Sequence, residues 1–251
     1  MLNIGDSCAI IRANDVKNKI IAVEGVKRFY EILDKNSLIL KNITVVKKFI
    51  NTNRSENINL KLRILSDFNA SVVYDEKLYK NEKNEVKNLE YKNLITLEDL
   101  INKFNCKNFK FLKTDIEGYD IPLLVSNINL IRKYQPIIFF ECHVDEILEK
   151  VHKTNIFELL NSLKKINYQK ISIWDEGGYF ILNSDLNNLN YEISDILDRF
   201  KNKWGKSYLD ICVYPIEDSD IADEVRKNEI KHFYDSYETY NSGDISHINF
   251  N

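Results

Sequence analysis

The stretch FKFLKTDIEGYDIPLL, Phe109 to Leu124, sets an apolar run directly against Asp115, Glu117, Gly118 and Asp120. A short run of continuous apolar character reads as a strand covered on both faces, the pattern of an α/β domain with a mostly parallel sheet. The carboxylates then stand at the carboxyl end of that strand, the edge where open α/β sheets bind ligands. A second stretch repeats the form: PIIFFECH, Pro136 to His143, ends in Glu141 and His143. Residues two apart share a face of an extended chain. Asp115 with Glu117, and Glu141 with His143, are therefore expected to project as two pairs. If the two strands are neighbours, three carboxylates and one imidazole converge. Such crowding calls for a cation, a shared proton or a charged ligand. The alternative is that Asp115 or Glu117 caps a helix beginning near Tyr119.

Around this centre the chain alternates short apolar runs with amphipathic stretches. MLNIG and KIIAVEG read as strands flanking a helical segment from Ala9 to Lys17. VKRFYEILDKNSLIL has helical spacing, and NITVVKKFI follows as a third strand. LKLRIL and ASVVY also read as strands, whereas DEKLYKNEKNEVKNLEYKN reads as a solvated loop or helix face. Thr96 is placed to cap a helix over TLEDLINKFN, with acidic residues in its first turn. NIFELLNSLKKIN reads as a further helix, YQKISIWDEGGYFILN as a hairpin about Gly177 and Gly178, and YLDICVYP as a last strand ending at Pro215.

The 251 residues, 44% hydrophobic and 29% charged, suffice for one sizeable core with an appended tail. A net charge of -3 supplies no basic excess for coating nucleic acid. The four cysteines form no C-x-x-C pair, which points away from a disulfide framework or a thiolate zinc site. The opening MLNIGDSCAIIRAND has no basic segment followed by a long apolar one, so neither a signal peptide nor a membrane span is expected. A cytoplasmic setting follows.

Two further features suggest a nucleoside ligand. In LNIGDSCA a strand runs through Gly5 into a helix, which gathers backbone N–H groups and a helix N-terminus. Glu24, ending IIAVEG, follows Gly5 at about the 20-residue spacing of an acidic residue that meets ribose hydroxyls. A carboxylate suits that task because it accepts both hydrogen bonds of a vicinal diol. The successive glycines needed for a pyrophosphate are absent. An NAD-dependent oxidoreductase is thereby disfavoured.

In these residues the sequence resembles the FkbM family of S-adenosylmethionine-dependent methyltransferases. NIGDSCA, AVEG, TLEDL, KTDIEGYD and IIFFECH stand in the family's order, over a resemblance running from Leu2 to Pro215. Asn3 occupies the first acidic position of the opening motif and Ala9 its second glycine. The resemblance implies a Rossmann-like class I methyltransferase fold. That is a seven-stranded, mostly parallel sheet with an antiparallel last strand and helices on both faces. It spans residues 1–215, with 216–251 as a helical tail. It also implies S-adenosyl-L-methionine as cofactor, held by Asn3, Gly5, Asp6, Ser7, Glu24, Gly25, Asp115 and Glu117. The implied acceptor is a small hydroxylated molecule, a sugar or a polyketide-type hydroxyl. The abundance of Asn, Lys and Ile, the codon bias of an AT-rich genome, favours a nucleotide-activated sugar for bacterial surface polysaccharide. His143 is the expected general base, since its pKa lies near working pH, and Glu141 or Asp115 would orient it. Mg²⁺ or Ca²⁺ at the acidic group is the lesser alternative. Lys113, Arg132 and Lys206 are candidates for an acceptor's phosphate. Trp174 and Trp204 are candidates for stacking on a sugar, with core packing expected for at least one of them. A homodimer fits the tail as readily as a tail that covers the crevice. An inactive cofactor-binding scaffold is the rival of another class.

Overall fold

The computed structural model describes residues 5–15, 17–52, 61–64, 70–73, 85–88, 91–143, 153–188, 193–196, 199 and 208–242. Strand β1 (Ile20–Val23) pairs in parallel with β2 (Ile43–Val46), on either side of helix α2 (Lys27–Leu40). Helix α1 (Asp6–Asn14) precedes them and begins and ends earlier than the segment expected at Ala9 to Lys17. The strand expected at MLNIG falls largely on residues 1–4, outside the described residues.

NITVVKKFI is not one strand. After β2 the Lys48 N–H bonds back to the Val46 carbonyl at 3.0 Å, a tight turn that the Lys47–Lys48 pair can expose to water. The chain resumes as β3 (Phe49–Asn51), which pairs in parallel with β7 (Leu94–Thr96). LKLRIL and ASVVY yield β4 (Lys61–Ile64) and β5 (Ala70–Val73). The charged excursion contributes a strand of its own, β6 (Glu85–Asn88), which flanks β4 in a three-stranded antiparallel sheet. Thr96 caps α3 (Leu97–Lys103) by accepting the Asp99 N–H at 3.1 Å, and its hydroxyl donates to Asp99 Oδ2 at 2.8 Å.

The largest sheet has five strands in the order β11-β10-β12-β9-β8: β8 (Phe111–Thr114), β9 (Ile137–His143), β10 (Tyr168–Asp175), β11 (Phe180–Asp185) and β12 (Tyr208–Pro215). β8 and β9 are parallel, while β12 is antiparallel to both β9 and β10. β8, β9 and β10 therefore run one way and the last strand runs against them. The expected seven-stranded sheet is not what the described strands form: they divide among four sheets, because β1 pairs with β2 and β3 with β7 away from the main one. The protein is nonetheless a mixed α/β chain.

Continuous apolar character in β9 and β12 is explained by two covered faces. One face carries Ile138, Phe140, Ile211 and Val213 into the main core, against α4 (Asp120–Ser126), α5 (Ile128–Tyr134) and α6 (Ile156–Lys164). Each such fully buried side chain is worth about 1.5–3 kcal/mol relative to exposure. The other face sets Phe139, Cys212 and Tyr214 against Ala222 of α7 (Ser219–Ser242). Trp174 packs on that side between Phe139 and Phe180, with ring centroids 5.9 and 5.7 Å away, and its Nε1 donates to Glu229 of α7 at 3.1 Å. These contacts are those of a packing role. No helix among the described residues is long and apolar enough to cross a membrane.

Gly25 has a packing reason to be glycine. A Cβ there would lie 2.4 Å from the Phe49 ring. Gly25→Ala is expected to cost about 1–3 kcal/mol, as overpacked cores do. Urea denaturation checks this; a midpoint unchanged from wild type would show that the ring moves aside freely.

Candidate active site

β8 ends at Thr114, and the chain then turns through two left-handed residues, Glu117 (φ 56°) and Gly118 (φ 87°). Asp115 and Glu117 therefore do not share a face of an extended strand. For a glutamate this conformation costs on the order of 1 kcal/mol or more, so the surroundings must hold it. Two buried anchors do. Tyr119 donates its hydroxyl to Thr52 Oγ1 at 3.1 Å, and Asp120 Oδ2 accepts the Ile116 N–H at 3.2 Å. Tyr119, the N-cap of α4, makes no side-chain capping bond.

On β9 the period-two expectation holds. Glu141 and His143 lie on one face, joined Oε2 to Nε2 at 2.9 Å. The turn delivers Glu117 to the same place: one ligand atom each from Glu117, Glu141 and His143 lies within 4.8 Å of the others. Asp115 stands at the margin and pairs with Lys113 Nζ at 3.2 Å. Lys113 is thus engaged within the protein. Arg132 lies in the last turn of α5, ahead of the opposite end of β9, and Lys206 and Trp204 are outside the described residues.

The electrostatics follow from burial and like charge. Burial, then Glu141, raises the Glu117 pKa, against a lowering pull from His143. For His143 burial acts downward, but the hydrogen bond and charge of Glu141, with Asp120 and Glu117, outweigh it and leave the pKa raised. Asp120 is fully buried, and desolvation pushes its pKa up to about 7, against the opposing pull of Thr114. Asp120 was noted in the opening stretch without a role, and Tyr208 and Asp210 are the site residues that the sequence reading did not single out. In register, Asp210 opposes Glu141 and Tyr208 opposes His143. The Asp210 carboxyl is pushed up to about 6, by burial first and then by Glu141. The available signal was Asp210 itself, the one charge inside the apolar run YLDICVYP.

The expected cofactor residues are more dispersed. Asn3 is outside the described residues. Gly5 is the left-handed N-cap of α1 (φ 96°), and a Cβ there would meet Leu33 Cδ1 at 2.8 Å. Asp6 is exposed in the first turn, its Oδ1 accepting the Ser7 N–H at 2.8 Å. Glu24, just past the end of β1, is fully buried, and its Oε1 accepts the Val26 N–H at 2.7 Å. Both glycines are thus explained by the protein's own packing. A cleft of about 740 Å³ opens between β1 and β8, and of the expected site residues Gly25, Lys113 and Asp115 line it. Glu117, Glu141 and His143 are not in its lining.

An α/β chain that gathers an imidazole and carboxylates at the carboxyl ends of two parallel strands has the makings of a group-transfer enzyme. The profile of the methyltransferase FkbM domain matches residues 1–170. The chain belongs to the FkbM methyltransferase family, and it is a methyltransferase. No curated protein and no solved structure matches it.

Proposed function

We propose that the chain is a cytoplasmic O-methyltransferase that uses S-adenosyl-L-methionine and methylates a hydroxyl of a small acceptor, a sugar or activated sugar. The observation that carries this reading is the Glu141–His143 pair at 2.9 Å beside Glu117. Neutral His143 donates its Nε2–H to Glu141, which leaves Nδ1 as the basic nitrogen. Nδ1 would take the proton of the acceptor hydroxyl as that oxygen becomes a nucleophile. When bound, S-adenosyl-L-methionine would supply the methyl group on a sulfonium sulfur able to leave as a neutral thioether. Glu141 keeps the imidazole in the required tautomer and favours the imidazolium that results.

The residues present fit such a donor by chemistry. Glu24 offers a carboxylate for the ribose diol, and the surplus negative charge around Glu117 and Glu141 suits a cation. Asn3, Gly5, Asp6, Ser7, Gly25 and Asp115 complete the proposed cofactor set. We read residues 1–215 as the catalytic unit, with β2-β1 and β8-β9-β12-β10 as the two flanks of a doubly wound methyltransferase sheet, and the remainder as its tail. Calorimetry with S-adenosylhomocysteine is expected to give heat, and Glu24→Gln to weaken binding about tenfold or more. No heat and no thermal shift at millimolar ligand would remove the cofactor assignment.

A second reading is favoured by the convergence of Glu117, Glu141 and His143. One nitrogen and two carboxylate oxygens could hold a divalent cation that lowers the hydroxyl's pKa directly. Activity that survives EDTA separates the imidazole mechanism from this one.

A further inference from the structure

The family match ends at residue 170, inside β10, yet β12 lies between β9 and β10 and brings two side chains beside the reacting pair. Tyr208 opposes His143, with ring centroids 5.6 Å apart and planes inclined 35°, and Asp210 opposes Glu141. Tyr208 is only partly buried, so its ring is open to a ligand. Its phenol feels Glu141, Asp210, Glu176 and Asp115, which come from β8 and its turn, β9, β12 and the β10–β11 turn. Lys113, the nearby ammonium, is bonded to Asp115.

We propose that Tyr208 and Asp210 are specificity-determining residues for the acceptor. They select a molecule that is uncharged or positively charged around its reacting hydroxyl and exclude one that carries phosphate or carboxylate there. The inference rests on the methyl-transfer reading and extends it to residues beyond the matched part of the chain. Tyr208 supplies an apolar face on which the C–H side of a hydroxylated ring can lie, beside the imidazole. Asp210 accepts hydrogen bonds from neighbouring hydroxyl or ammonium groups. It also adds its charge to that of Glu141, so an anion entering the mouth meets repulsion, while Lys113, the ammonium described beside them, is held by Asp115. A nucleotide-activated sugar fits only with its diphosphate outside this mouth.

The test uses the full chain with S-adenosylhomocysteine and EDTA, and three probes: methyl glucoside, glucosamine and glucose 6-phosphate. Affinities are read by ligand-observed NMR. Wild type is expected to bind the first two at least tenfold more tightly than the phosphate. Asp210→Asn should narrow that gap. Tyr208→Ala should weaken methyl glucoside at least tenfold, with Tyr208→Phe close to wild type and S-adenosylhomocysteine affinity unchanged in all variants. The proposal falls if the phosphate binds as well as the glucoside, if Tyr208→Ala binds like wild type, or if no probe binds the cofactor-loaded protein. That last result leaves methyl transfer standing. Probe binding by a protein that takes no S-adenosylhomocysteine would instead remove methyl transfer, and Tyr208 and Asp210 would lose their role toward an acceptor with it.

Discussion

His143→Ala is expected to lower turnover by about 10²–10⁴-fold, the usual contribution of a positioned general base, while S-adenosylhomocysteine affinity stays within a few-fold of wild type. The expectation rests on the bond from Nε2 to Glu141, which fixes the ring and leaves the other nitrogen for the acceptor. It carries a pH signature. Because the carboxylates raise the His143 pKa, the rise of kcat/KM with pH should be centred above 6.5, the unperturbed value. Glu141→Gln removes the strongest upward influence and leaves burial, which acts downward. That variant should lose activity through misorientation, and its remaining activity should rise at lower pH than wild type. Equal turnover in His143→Ala, or a Glu141→Gln profile superimposable on wild type, would take the imidazole out of the reaction.

The second large effect concerns stability. Asp120 is fully buried and its carboxyl is pushed to about 7 by desolvation, well above an unfolded aspartate near 3.8. The folded state therefore holds a proton that the unfolded state releases. The stability contributed by this group is complete below about pH 4 and is lost as pH rises toward 7. Three pKa units correspond to on the order of 4 kcal/mol as an upper figure. Asp120→Asn keeps an acceptor for the Ile116 N–H and cannot ionise. The difference in unfolding free energy between variant and wild type should consequently grow in the variant's favour from pH 4 to pH 8. Urea denaturation across that range provides the measurement, and parallel curves would show that Asp120 is not protonated in the folded protein.

Much of the framework was legible because local chemistry and tertiary position agreed. PIIFFECH is apolar on both faces because α4 to α6 cover one and α7 the other, and Thr96 caps α3 with its own hydroxyl. The Glu141–His143 pair was legible for the same reason: a regular strand places alternate residues together whatever surrounds it. Glu117 reached the predicted place by an unpredicted route, a left-handed turn whose support comes from Tyr119 and Asp120. Such support depends on Thr52, 67 positions away along the chain, and no window of sequence reveals it. The described strands divide among four sheets where one of seven was expected, because strand pairing is decided by partners distant in sequence. Asp210 and Tyr208 escaped for that cause too. Their importance comes from register against β9, which alternation within β12 cannot disclose.

The place of β12 between β9 and β10 also bears on biosynthesis. A ribosome making about 5–20 residues per second emits Tyr208 several seconds after His143. Throughout that interval the nascent chain carries β9 with one row of backbone amides and carbonyls awaiting a mate, an invitation to intermolecular pairing. The same arrangement leaves the carboxyl end of β9 without its neighbour until Tyr208 has emerged.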